Sequence, residues 1–209
     1  MSIFDGTRTA AGMAAVAGYV NAVAYLGLHA FVAPMTGTVV QAGFELAARE
    51  WLGALLSLLA IVTFTSGVAI ARYVRRDGRG PGLCWLLSAV VLAIAGVRPL
   101  EGLASLAPIA GALGCLNGSQ TRFGMVTLNT TFLTGNLERL GEAIGDRGMQ
   151  HRPAQLACIA AIVLAYLMGS TAGAAAAQNL SAPLLVPATV LALMGVVAQV
   201  RRQTGGAPM

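Results

Sequence analysis

Thr36-Gly37 and Thr134-Gly135 each interrupt an apolar segment, LHAFVAPMTGTVVQAGFELA early in the chain and FGMVTLNTTFLTGNLERLGEAI late in it. Each dipeptide has a Gly-x-x-Asn upstream, Gly18 to Asn21 and Gly114 to Asn117, and a second glycine downstream, Gly43 and Gly141. Glycine at a break in a membrane helix lets backbone approach a ligand closely and adopt positive φ, as expected here for Gly37 and Gly135. A helix starting at Thr38, and its counterpart starting at Asn136, would present free backbone N–H groups and a positive dipole end, an arrangement that suits an anion. Thr36, Thr38, Thr134 and Asn136 would add capping or ligand hydrogen bonds. The plainer alternative is that threonine and glycine only pack and cap broken helices. Asn21 and Asn117 are polar groups in apolar runs, and they either complete a solute site or bridge helices.

Little else in the chain reads as chemistry. There is no Ser-His-Asp order, paired catalytic carboxylate set, metal-ligand cluster or phosphate loop, so neither an enzyme nor a cofactor is expected. Cys84, Cys115 and Cys158 lie apart in apolar stretches without C-x-x-C spacing and read as buried thiols. His29 reads as an interfacial residue, and Glu45, with Arg49 and Glu50 close behind it, as an exposed one. No carboxylate is expected at the membrane centre. Asn129, Thr130 and Thr131 make the second interruption the more polar, and Glu138, Arg139 and Glu142 read as a solvated exit. The sequons at Asn117 and Asn129 fall in or beside membrane segments and are discounted.

The elements that must hold these residues are membrane helices. Hydrophobic residues make up 56% of the 209, charged residues 10%, and mean hydropathy is +0.74, a balance that excludes a soluble globule. Apolar runs long enough for a hydrocarbon core of about 30 Å cover residues 10–28, 51–73, 154–178 and 180–200, with shorter spans at 82–97 and 103–119. The first is read as an uncleaved span rather than a signal peptide, because it runs straight into the first interruption. The net charge of +5 does not point to nucleic acid, since the arginines are scattered at the ends of apolar runs.

Arginine placement separates two topologies. With six spans and a cytoplasmic N-terminus, Arg8, Arg72, Arg75, Arg76, Arg79, Arg122, Arg139, Arg147, Arg152, Arg201 and Arg202 fall inside, and only Arg49 and Arg98 outside. Treating both Thr-Gly segments as full spans moves five arginines outward, so the positive-inside rule favours six spans and two re-entrant hairpins. A hairpin limb over residues 123–133 would descend about 16 Å, half the membrane. Pro34 explains the first break. Irregular backbone at that depth is tolerated only when buried in protein or lining a polar cavity.

The stretch GYVNAVAYLGLHAFVAPMTGTVVQAG, with its Gly18-x-x-Asn21-Ala22 opening and aromatic-rich approach to Thr36-Gly37, resembles the YoaK family of bacterial inner-membrane proteins, which carry a domain of unknown function. The resemblance covers nearly the whole chain and includes LNTTFLTGNLERLG around Thr134-Gly135-Asn136. Thr38 stands where the family pattern has asparagine, and Asn21 stands at an early acidic position. The resemblance implies the fold and the inner membrane but no substrate.

The sequence therefore predicts an all-α integral membrane protein of six transmembrane helices and two re-entrant broken-helix hairpins. Residues 1–100 and 101–209 form a 3+3 inverted repeat, with both termini cytoplasmic. Paired interrupted segments in corresponding halves point to a secondary transporter or facilitator. Its partners would be membrane lipid and a small solute, favoured to be an anion or weak acid, held by Thr36, Gly37, Thr38, Thr134, Gly135, Asn136, Asn21 and Asn117. A channel-like pore, or a non-transporting scaffold using the small-residue faces around Gly111, Gly114, Gly118, Gly169, Ser170 and Gly173, are the alternatives. Those faces also suit a homodimer.

Overall fold

The computed structural model describes residues 3–76, 78, 80–97, 100, 102–119, 133–145 and 153–204. Within them the chain is helical throughout, as α1 (Ile3–Leu28), α2 (Met35–Ala47), α3 (Trp51–Arg76), α4 (Pro81–Gly96), α5 (Gly102–Gly118), α6 (Thr134–Gly145), α7 (Pro153–Asn179) and α8 (Leu185–Thr204). Four of these are long and apolar enough to cross a membrane: Thr7–Leu28, Trp51–Arg76, Leu156–Asn179 and Leu185–Thr204. Their outward faces carry Leu55, Val62, Leu164, Met168, Leu193 and Val196, which in water would be an untenable apolar surface and in lipid is the expected one. α4 and α5 are shorter, at 16 and 17 residues.

Local chemistry sets the helix boundaries. α1 stops where His29 turns left-handed at φ 51°, and α4 and α7 open on Pro81 and Pro153, whose missing N–H costs nothing at a helix start. α2 ends in a Schellman turn. Arg49 takes φ 61°, its N–H bonds the Leu46 carbonyl at 3.2 Å, and the Glu50 N–H bonds the Glu45 carbonyl at 2.8 Å. α3 then starts at once and folds back along α2.

The helices pack through glycine. Side by side and parallel, α1 and α7 run from Thr7, whose hydroxyl meets the Cys158 sulfur at 3.2 Å, to Gly173, where a Cβ would strike the Tyr19 backbone. Between these points Gly169 sits on the Ala15 backbone and Gly18 on that of Tyr166. α5 and α3 repeat the arrangement: Gly67 sits on the Gly111 backbone, Gly114 on that of Phe64, and Gly118 on that of Val68. α4 and α8 pack in the opposite sense. Gly82 meets Gly195 at one end, Gly96 meets Leu184 at the other, and Arg202 donates to the Gly78 carbonyl.

A polar seam joins α4 to α5. The Trp85 indole donates to the Ser119 hydroxyl at 3.0 Å, and the Ser88 hydroxyl to the Ala112 carbonyl at 3.1 Å. Cys84 and Cys115, from separate apolar stretches, meet here, with the Cys115 thiol 3.7 Å from the Cys84 carbonyl. Both are buried free thiols, and Cys158 is half-buried.

Candidate functional site

The first break centres on Pro34, not on Thr36-Gly37. Pro34 takes φ −78° and ψ 81° at the N-cap, and α2 resumes at Met35, three residues earlier than the expected start at Thr38. Gly37 is therefore helical, as is Gly135 near the start of α6. Among the described residues positive φ falls instead on His29, Arg49, Gly78 and Gly102. Gly37 is small for another reason: the Phe31 ring lies over it, 3.4 Å from where a Cβ would stand, and stacks on Tyr25 at 4.8 Å.

Two of the predicted site residues hold this break together. The Asn21 side-chain carbonyl, about 10 Å below the end of α1, accepts from the Val32 N–H at 3.2 Å and the Ala33 N–H at 3.3 Å. The buried Thr38 hydroxyl donates to the Phe31 carbonyl at 3.0 Å. Met35 N–H bonds the Ala33 carbonyl, and Gly37 and Thr38 N–H bond that of Pro34, at 2.9, 2.9 and 3.3 Å. Backbone that would be costly to leave bare in an apolar bundle is thereby satisfied. This use takes up N–H groups that an anion would need, and of residues 36–38 Thr36 is the exposed one.

At the second break α6 begins at Thr134, two residues before the expected start at Asn136. Thr134 is exposed and Asn136 wholly buried. Asn136 and Leu137 N–H both bond the Leu133 carbonyl, at 2.9 and 2.8 Å. Among the described residues nothing lies within 4 Å of a Cβ on Gly135. Asn117 is half-buried in the last turn of α5. The expected descending limb at 123–133, with Asn129, Thr130 and Thr131, lies outside the described residues except for Leu133.

α2 presents its polar side to the protein and its apolar side outward. Thr38, Ala42, Gln41 and Glu45 face inward, with Thr38 1% exposed, while Val39, Val40 and Phe44 face out, Phe44 at 71%. Glu45 was expected to be exposed, and it is half-buried. The Schellman turn folds α3 back so that the Ser57 hydroxyl donates to Glu45 Oε2 at 2.7 Å, and the Gln41 amide donates to Oε1 at 3.0 Å and to the His29 carbonyl at 3.4 Å. Gly53 leaves room, since a Cβ there would stand 3.0 Å from the Glu45 carboxyl carbon. These groups line a cavity of about 310 Å³ between the end of α1, the α2–α3 hairpin and the start of α5. Sequence reasoning missed it. The signal was the 38, 41, 45 polar stripe on an otherwise apolar helix.

A larger cavity, about 620 Å³, opens where the ends of α1, α4 and α7 meet the loop before α8, lined by Gly27, Gly96, Leu100, Ser181 and Leu184 among others. Neither cavity is lined by residues 36–38 or 134–136. Among the described residues no group of His, Cys, Asp or Glu is placed to hold a metal ion.

Residues 9–197 match a family model described as "Protein of unknown function (DUF1275)". No curated protein and no solved structure matches the chain.

Proposed function

The chain belongs to that family of unknown function, and we propose that it is a secondary transporter or facilitator of a small solute, built as six spans and two re-entrant hairpins. In this reading residues 1–100 and 101–209 are the two halves of an inverted repeat in a bacterial inner membrane, with cytoplasmic termini. The observation that carries it is α2, a helix of 13 residues and so about 20 Å long. It is too short to cross, polar toward the protein and apolar outward, and its start is fixed by Asn21 and Thr38 from within the bundle. A soluble helix has the opposite polarity, and a packing helix has no need of a stapled break beneath it.

The inverted repeat draws support from the packing. Exchanging α1, α3, α4 and α5 for α5, α7, α8 and α1 turns the parallel pair α1–α7 into α5–α3, with glycines at the corresponding contacts, and turns the antiparallel pair α4–α8 into itself. A two-fold axis in the membrane plane has that property, and such axes are frequent in secondary transporters with broken helices.

A solute would meet Thr36 from one side and Thr134 and Gly135 from the other. An anion or weak acid remains the favoured class, through helix-start donors. Purified protein screened by thermal shift against small anions, weak acids, cations and neutral metabolites, followed by uptake into proteoliposomes, tests this. Gly135→Leu fills space that is open among the described residues, and is expected to abolish uptake while the protein stays folded. Uptake at the unaltered rate in that variant removes the second break from the pathway, and no uptake of any solute favours the scaffold reading.

A further inference from the structure

We propose that the cavity at Glu45 is a binding site for a small monovalent cation, whether an alkali-metal ion or a primary ammonium group. The inference needs neither the transport reading nor the Thr-Gly breaks, because it stands on groups that neither uses. Glu45 brings a carboxylate into a recess where its side-chain hydrogen-bond partners are neutral, and His29 is the other titratable residue on the lining among the described residues. Ser57 and Gln41 each donate one hydrogen bond to it, and among the described residues no arginine or histidine side chain forms an ion pair with it. Arg49, one turn on, is exposed, as are Glu50 and His29. A carboxylate held by hydroxyl and amide donors alone keeps lone pairs directed to its surroundings, and those surroundings are a cavity of about 310 Å³, roomy for a partly hydrated ion or a methylammonium-sized group.

The walls add acceptors. Gly27, Leu28 and His29 line the cavity where α1 ends, and the last carbonyls of a helix are without intrahelical partners and sit at its negative pole. Glu45 itself lies in the last turns of α2, while the starts of α3 and α5, also on the lining, bring the opposite end of the dipole, so the carboxylate rather than the helix ends sets the preference for a cation. The Gln41 amide is oriented with its nitrogen on the His29 carbonyl and on Glu45, which leaves its oxygen as a further acceptor. The start of α5, at Gly102 and Leu106, closes the opposite wall. Gly53 gives the carboxylate its room, since a Cβ there would press on it at 3.0 Å.

The test uses the whole chain in lipid nanodiscs at constant ionic strength. Sodium, potassium and methylammonium are compared with N-methylglucamine, a much larger polyol cation whose charge is carried on a substituted nitrogen. Saturable stabilisation by at least one of the small cations is expected, and the pattern distinguishes the sources: response to sodium or potassium marks an alkali-ion site, response to methylammonium alone an amine site. Glu45→Gln keeps the shape and loses the charge, and should weaken the apparent affinity by about tenfold or more. Gly53→Ala, which leaves every polar group in place, should weaken it too and serves if Glu45→Gln does not fold. Equal responses to the small cations and N-methylglucamine, or wild-type affinity in either variant, would overturn the proposal. Uptake in Gly135→Leu is measured separately, so failure of the transport reading is seen independently.

Discussion

Asn21 illustrates how a residue that looks like a solute ligand can be a structural one. Its side-chain carbonyl accepts two backbone N–H groups, those of Val32 and Ala33, and both residues are fully buried. An aspartate could accept the same two bonds, so an acid at this position does not by itself imply proton coupling. Replacing Asn21 by leucine leaves both donors without an acceptor, at about 1 to 3 kcal/mol each. Asn21→Asp keeps the acceptor. In thermal unfolding of the purified protein Asn21→Leu should therefore melt well below both wild type and Asn21→Asp. Equal melting of the two variants would show that the bonds to Val32 and Ala33 do not hold the break. The polar character of Asn21 and Thr38 was legible in the sequence, but their partners were not, because both bonds depend on how far the chain dips between α1 and α2.

At the scale of elements, long apolar runs gave the spans within a few residues, since about 20 helical residues are needed to cross lipid and turn residues bound them. The short helices were harder. Pro34 announces a break, but where helix resumes depends on Met35 finding the Ala33 carbonyl, so the expected start fell three residues late. Glu45 was misread for a related reason. Arg49 and Glu50 beside it suggested solvent, whereas the turn at Arg49 places Glu45 opposite Ser57 on α3.

Glycine contacts are the element-scale feature most open to test. Gly67 and Gly169 each lie where an added methyl group would meet the backbone of a neighbouring helix, Gly111 in one case and Ala15 in the other. Gly67→Ala and Gly169→Ala should each cost about 1 to 3 kcal/mol through forced separation of the helices. Gly43→Ala, on the open face of α2, should leave stability unchanged or slightly raised, as alanine favours helix. Similar losses at positions 67 and 169, read from thermal unfolding, are what equivalent interfaces require. A large loss at one and none at the other would mean that the two helix pairs are not equivalent.

For the whole molecule, the proposed topology turns on which ends of the helices share a face. Arg202 reaches the Gly78 carbonyl, so the end of α8 and the α3–α4 connection are on the same side. At the other ends Gly27 touches Leu100, and Gly96 touches Leu184, so the ends of α1 and α4 and the start of α8 share the opposite side. Eight full spans would alternate α3–α4 and α8 to opposite sides and separate Gly78 from Arg202, in conflict with the contact. The six-span arrangement keeps them together and gathers the arginines on that side, as the positive-inside rule requires. In a variant with Cys84, Cys115 and Cys158 replaced, single cysteines at the exposed positions Glu50, Arg76, Ser181 and Gln203 would report each face to an impermeant thiol reagent. Positions 50 and 181 should label in intact cells, and positions 76 and 203 only after the membrane is opened. Labelling at 76 and 181 but not at 50 or 203 would make both Thr-Gly segments full crossings, and labelling at 76 and 203 but not at 50 or 181 would invert the molecule in the membrane.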